Sequence, residues 1–134
     1  MFPDLVQHHI GCLVASIAEF KTENSNVWDD DKFSRVYSVS SQDVKVCFLQ
    51  ISSDTCIELV EPGAANQPLS KLLTKGITYY HIGFKSDRFN ESVNMLINSN
   101  CKFLSEFKSE AFAGKRCAFF YHPHIRLIEL IESE

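Results

Sequence analysis

Two short blocks of this chain occur twice, in the same order. His9-Ile10-Gly11 returns 72 residues later as His81-Ile82-Gly83, and Ile57-Glu58-Leu59 returns 71 residues later as Ile128-Glu129-Leu130. Two tripeptides recurring at nearly one offset read as an internal duplication. That constrains the fold strongly, because whatever the first half builds the second half builds again. The halves fall at residues 6–61 and 78–132, joined by a connector at 62–77, within a single domain of residues 1–134.

Each half carries the pattern of one strand, one helix and three strands. Residues 6–14 are apolar and β-branched and read as a strand. Ser16 stands where an N-cap would start a short helix over residues 17–21, and Trp28 is the one large apolar anchor of a polar stretch. Strands follow at 35–39 (the weakest signal), 44–51 and 55–60, the last two joined by Ser53-Asp54 as a hairpin. The connector opens with Pro62-Gly63 and has room for one or two helical turns over 68–73. The order then restarts: a strand at 78–84, and a helix with Asp87 as N-cap and Phe89, Val93, Leu96 and Ile97 near a 3.6-residue period. Strands at 102–107, 116–121 and 126–131 complete the second half. The expected fold is α+β, built from two βαβββ modules.

Charge and cysteine content remove several classes of function. The net charge is −4, and Lys and Arg are scattered, with no basic stripe for nucleic acid or an anionic membrane. No window reaches the roughly eighteen apolar residues of a membrane span. Met1-Phe2-Pro3-Asp4 has no basic segment followed by an apolar run, so no secretory leader is expected. The five cysteines, Cys12, Cys47, Cys56, Cys101 and Cys117, form no CxxC pair and are an odd set. They read as reduced thiols packed as small hydrophobes, which points to the cytoplasm. Asp29-Asp30-Asp31 reads as a solvated loop.

The repeated blocks carry chemistry because side chains alternate along a strand. His81 shares a face with Gly83, while Tyr80, Ile82 and Phe84 point the other way, toward the helix. His9 stands in the same relation to Gly11. Glu58 is flanked by Ile57 and Leu59, and Glu129 by Ile128 and Leu130, so each carboxylate faces away from apolar neighbours. A carboxylate within an apolar strand is costly to bury unless paired, protonated or metal-bound. Two imidazoles and two carboxylates together suit one divalent ion, with Co, Ni, Mn, Zn and Mg all compatible with the donor set. The alternative for the same four residues is a salt-bridged core. His8, next to His9, is expected on the opposite face in a surface or packing role, and His122 and His124 flank Pro123 in an exposed turn.

The blocks His8-His9-Ile10-Gly11, Cys56-Ile57-Glu58-Leu59-Val60-Glu61-Pro62, Tyr80-His81-Ile82-Gly83-Phe84 and Leu127-Ile128-Glu129-Leu130 resemble the vicinal oxygen chelate superfamily. That group includes the glyoxalases, bleomycin-resistance proteins and extradiol dioxygenases. Within it the chain is most similar to methylmalonyl-CoA epimerases, on Glu61-Pro62, Leu69-Ser70-Lys71-Leu72-Leu73 and Phe119-Phe120-Tyr121-His122-Pro123. The resemblance implies a cupped mixed sheet and one divalent metal held by His9, Glu58, His81 and Glu129. It also implies an isomerase or lyase that moves a proton beside a carbonyl, possible substrates including an acyl-CoA, with Glu129 as one base. A homodimer is implied as well, with the phenylalanine-rich residues 103–112 as a candidate interface. The second base of such epimerases is a Glu in a Glu-x-Gly-Val segment. Here that segment reads Ser41-Gln42-Asp43-Val44, and the loop at His122-Pro123-His124-Ile125-Arg126 is short. A module of this fold that sequesters a small molecule without catalysis is the alternative function.

Overall fold

The pattern of each half is realised in the computed structural model, which describes residues 3–133. Met1 and Phe2, on which part of the leader reading rests, lie outside the described residues. In chain order the elements are β1 (Val6–Leu13), α1 (Ile17–Glu23), β2 (Tyr37–Val39), β3 (Val44–Ser52), β4 (Thr55–Pro62), α2 (Gln67–Thr74), β5 (Tyr79–Ser86), α3 (Phe89–Asn98), β6 (Lys102–Ser109), β7 (Lys115–His122) and β8 (Arg126–Glu132). The fold is α+β: β1-α1-β2-β3-β4 and β5-α3-β6-β7-β8 are two βαβββ modules, and α2 forms in the connector. No helix among the described residues is long and apolar enough to cross a membrane. Contacts group the chain into two compact units, residues 10–80 and, separately, the residues up to His9 with those from His81 onward.

In the unit of residues 10–80 the strands run β2-β3-β4-β1. Both β2 and β4 pair antiparallel with β3, while β4 runs parallel to β1 and sets Glu58 opposite Gly11. Ile17, Cys47, Leu49 and Leu59 form the core, with Phe20, Trp28 and Phe33 packed against it. The start of α1 is capped twice: Ser16 Oγ accepts the Glu19 N–H at 3.1 Å, and Glu61 Oε1 accepts the Ile17 N–H at 2.9 Å. A carboxylate there also meets the positive end of the helix dipole. The weak strand signal at 35–39 shrinks to Tyr37–Val39.

The connector helix α2 hangs on one side chain. Asn66 Oδ1 accepts the Leu69 N–H at 3.2 Å, and its Nδ2 donates to the Gln42 carbonyl at 2.9 Å. Asn66→Ala removes both bonds and is expected to cost about 1–2 kcal/mol, read as a lower denaturant midpoint at unchanged slope.

In the second unit the strands run β5-β8-β7-β6, with β8 parallel to β5 and antiparallel to β7. This register sets Glu129 opposite Gly83. Phe89, Leu96, Cys101, Ala118, Phe120, Ile128 and Leu130 form the core, and Ile82 and Phe84 pack on it, on the face that strand alternation assigned them. One helix start differs from expectation. Asp87 does not cap α3; Arg88 holds the N-cap position without a side-chain cap bond. Buried Ser86 serves the turn instead, its Oγ accepting the Arg88 N–H at 3.1 Å and lying 2.6 Å from Ser92 Oγ. All five cysteines are free thiols, and four of them are buried.

Candidate metal centre

Three of the four expected ligands meet inside one unit. His9 comes from the first part of β1, His81 from β5 and Glu129 from β8; all are buried, with His9 at 0% exposure. His9 Nε2 lies 2.9 Å from His81 Nε2 and 3.0 Å from Glu129 Oε1, and His81 Nε2 lies 3.4 Å from the same oxygen. These three atoms lie within 4.8 Å of one another.

Such a triangle is hard to satisfy with protons alone. A neutral imidazole carries one N–H, so some edges of the triangle set lone pair against lone pair. Glu129 Oε1 is fully buried and, among the described residues, receives no well-aligned hydrogen bond. A cation at the centre resolves this. Nitrogen and oxygen ligands about 2.1 Å from an ion stand about 3 Å apart when adjacent in an octahedron. The residues present therefore fit a divalent ion. Burial pushes the Glu129 carboxyl up, but His81 and His9 outweigh it and hold the group at about 2, so the side chain is an anion.

Gly83 makes room for this arrangement. A Cβ there would fall within 2.6 Å of both His9 ring nitrogens. Phe112, from the turn before β7, stacks on the His9 ring at 5.9 Å between centroids and 25° between planes.

Glu58 lies in the other unit, on β4. It is 5% exposed and set opposite Gly11 as Glu129 is set opposite Gly83. The parallel register thus repeats with the sequence, and the repeat places Glu58 in the first module where Glu129 stands in the second.

One residue departs from expectation. His8 does not simply face away from His9: its Nδ1 lies 2.8 Å from His9 Nδ1, and its ring meets Phe112 edge-on at 5.3 Å. Alternation fixes where a Cβ points, but a ring nitrogen about two bonds further out is not confined to that face. Burial first, then His9 and Lys85, and against the pull of Glu129, take the His8 imidazole down to about 4. The doublet His8-His9 was the only sequence signal for this contact, and Phe112 had none.

The segment in place of the second carboxylate base forms a 3₁₀ turn over Ser40–Gln42, in which Ser41 is exposed. Asp43 follows in the left-handed region at φ 50°, and its carboxylate lies over the Gly63 Cα, filling the place of a Cβ there. The left-handed backbone breaks strand alternation at this side chain. His122 serves its own turn, its Nδ1 accepting the N–H groups of His124 and Ile125 at 3.0 and 3.1 Å.

Comparison with known proteins agrees with this architecture. Among solved structures, a hypothetical protein from Bacillus halodurans C-125 is similar at 24% identity and a TM-score of 0.74, over 98% of this chain and 95% of that one. Methylmalonyl-CoA epimerase from Mycobacterium tuberculosis is similar at 18% identity and a TM-score of 0.77, over 96% and 88%. A variant of the Streptomyces coelicolor methylmalonyl-CoA epimerase, in complex with 2-nitronate-propionyl-CoA, is similar at 22% identity and a TM-score of 0.77, over 97% and 99%. At these identities the likeness is one of fold. No curated protein matches in sequence. A family model matches residues 8–119, a span that holds His9, Glu58 and His81 and stops short of Glu129. The chain belongs to the Glyoxalase/Bleomycin resistance protein/Dioxygenase superfamily.

Proposed function

We propose that this chain is a divalent-metal-dependent isomerase that moves a proton beside the carbonyl of an acyl thioester, with His9, Glu58, His81 and Glu129 as the ligands of one ion. The convergence of His9 Nε2, His81 Nε2 and Glu129 Oε1 carries the reading. Glu58 enters through the repeat, since its register against Gly11 matches that of Glu129 against Gly83. The acyl thioester is supported by the similar structure that holds 2-nitronate-propionyl-CoA.

A bound divalent ion would polarise the carbonyl and so acidify the neighbouring C–H bond. The protein's own part is to receive that proton. Glu129 Oε1 is turned to the two imidazoles, which leaves Oε2 as the oxygen that takes the proton and returns it. A second base for the opposite face has no support. The Ser41 hydroxyl, exposed on its turn, is too weak a base to take a carbon-bound proton, and Asp43 is turned onto Gly63. With one base, proton exchange on a single face outpaces inversion, and the slower isomerisation draws its proton for the opposite face from water. The five free thiols support a cytoplasmic setting, and exposed Phe103 and Leu104 on β6 support the expected homodimer.

The test is deuterium wash-in at the α-carbon of methylmalonyl-CoA and propionyl-CoA, followed by NMR with cobalt- or nickel-loaded protein. Exchange that outpaces racemisation and stops on chelation is expected. Tight acyl-CoA binding with no exchange would replace the isomerase by a sequestering module.

A further inference from the structure

His8 stands beside the site but is not one of its expected ligands, and the repeat does not account for it, because the corresponding position in the second module is Tyr80. We propose that His8 is a positioning residue: its Nδ1 accepts the proton carried on His9 Nδ1, holding the His9 ring with a bare Nε2 turned to His81 and Glu129. The inference rests on the metal reading above.

The argument is one of valence. His9 Nε2 is the ring atom that meets His81 Nε2 and Glu129 Oε1, at 2.9 and 3.0 Å. To bind an ion that nitrogen must be bare, so the neutral ring carries its proton on Nδ1. Nδ1 lies 2.8 Å from His8 Nδ1. Only one of the two nitrogens can hold the proton, so with an ion bound His8 Nδ1 is the acceptor, and its own proton sits on Nε2. Packing supports the same orientation. The two rings meet edge to face at 5.1 Å and 84°, and Phe112 borders both, stacked on His9 and edge-on to His8. A hydrogen bond to the far nitrogen of a ligating imidazole fixes its tautomer and orientation, and loss of such a partner weakens metal binding roughly 10–100-fold.

Two variants separate the hydrogen bond from mere volume. His8→Phe keeps a ring against Phe112 but has no acceptor. His8→Asn has less bulk but places an oxygen close to where Nδ1 stood. Cobalt and zinc affinities, measured by competition with a chelating dye, should fall roughly 10–100-fold in H8F and stay within a few-fold of the parent in H8N. In zinc-loaded protein with 15N-labelled histidine, the His9 Nδ1 proton should be protected from exchange and show 15N–15N coupling across the hydrogen bond to His8 Nδ1. Parent-like affinity in H8F, an H8N protein as weak as H8F, or zinc-loaded protein without that coupling would each overturn the role of His8 and leave the metal centre standing. A parent protein that takes up neither ion overturns the metal centre itself, and the proposal with it.

Discussion

Gly83→Ala is expected to remove ion binding altogether and to cost about 2–3 kcal/mol of stability, within the range for overpacking a filled interior. The new methyl group would land on the imidazole of His9, within 2.6 Å of both ring nitrogens. The ring has little room to retreat. It is completely buried, Phe112 is stacked on it, and His8 Nδ1 lies 2.8 Å away. Relief requires either a shift of the ring or a spreading of backbone, and a shift of about 1 Å already spoils the spacing a small ion needs. Urea unfolding of the metal-free protein reads the stability, and titration with cobalt reads the site. Should G83A bind cobalt as the parent does, the close seating of His9 over Gly83 is refuted.

Glu129→Gln is expected to slow α-proton exchange by about 10²–10⁴-fold, the usual contribution of a positioned acid–base group. The substitution keeps the shape and an oxygen that can still face an ion, but the amide has no basic oxygen to take a proton. Since it also weakens the ligand set, the rate is to be read at saturating metal, with occupancy measured on the same sample. An E129Q protein that is fully loaded and exchanges within threefold of the parent would show that another group moves the proton. A large loss of rate at full occupancy is the result that assigns the proton to Glu129.

Much of this was legible in the chain because the decisive features are periodic. The recurrence of His-Ile-Gly and Ile-Glu-Leu located two equivalent modules, and strand alternation assigned Ile82 and Phe84 to the core and His81 to the other face, as their packing bears out. What escaped depends on contacts remote in sequence or on local backbone that breaks the period. That the ring of His9 lies over Gly83, and that Phe112 stacks on it, are meetings of distant segments. The seating of Asp43 on Gly63 escaped because it depends on a positive φ that strand periodicity does not register. Asp87 looked like a cap by residue type, yet Ser86, already buried at the end of β5, holds the first turn of α3 instead. His8 escaped because alternation describes the root of a side chain better than its tip.

The parallel pairing of β5 with β8 has a consequence for when the centre comes into being. Between the two strands run α3, β6 and β7, so Glu129 reaches the imidazoles only after a long crossover has closed. Pairings of that kind form slowly, since the entropy of the loop is lost before the contacts are made. A growing polypeptide would therefore hold both histidines while α3, β6 and β7 are still being made, before Glu129 can join them. Capture of an ion by these three side chains would then follow the closing of that crossover rather than precede it.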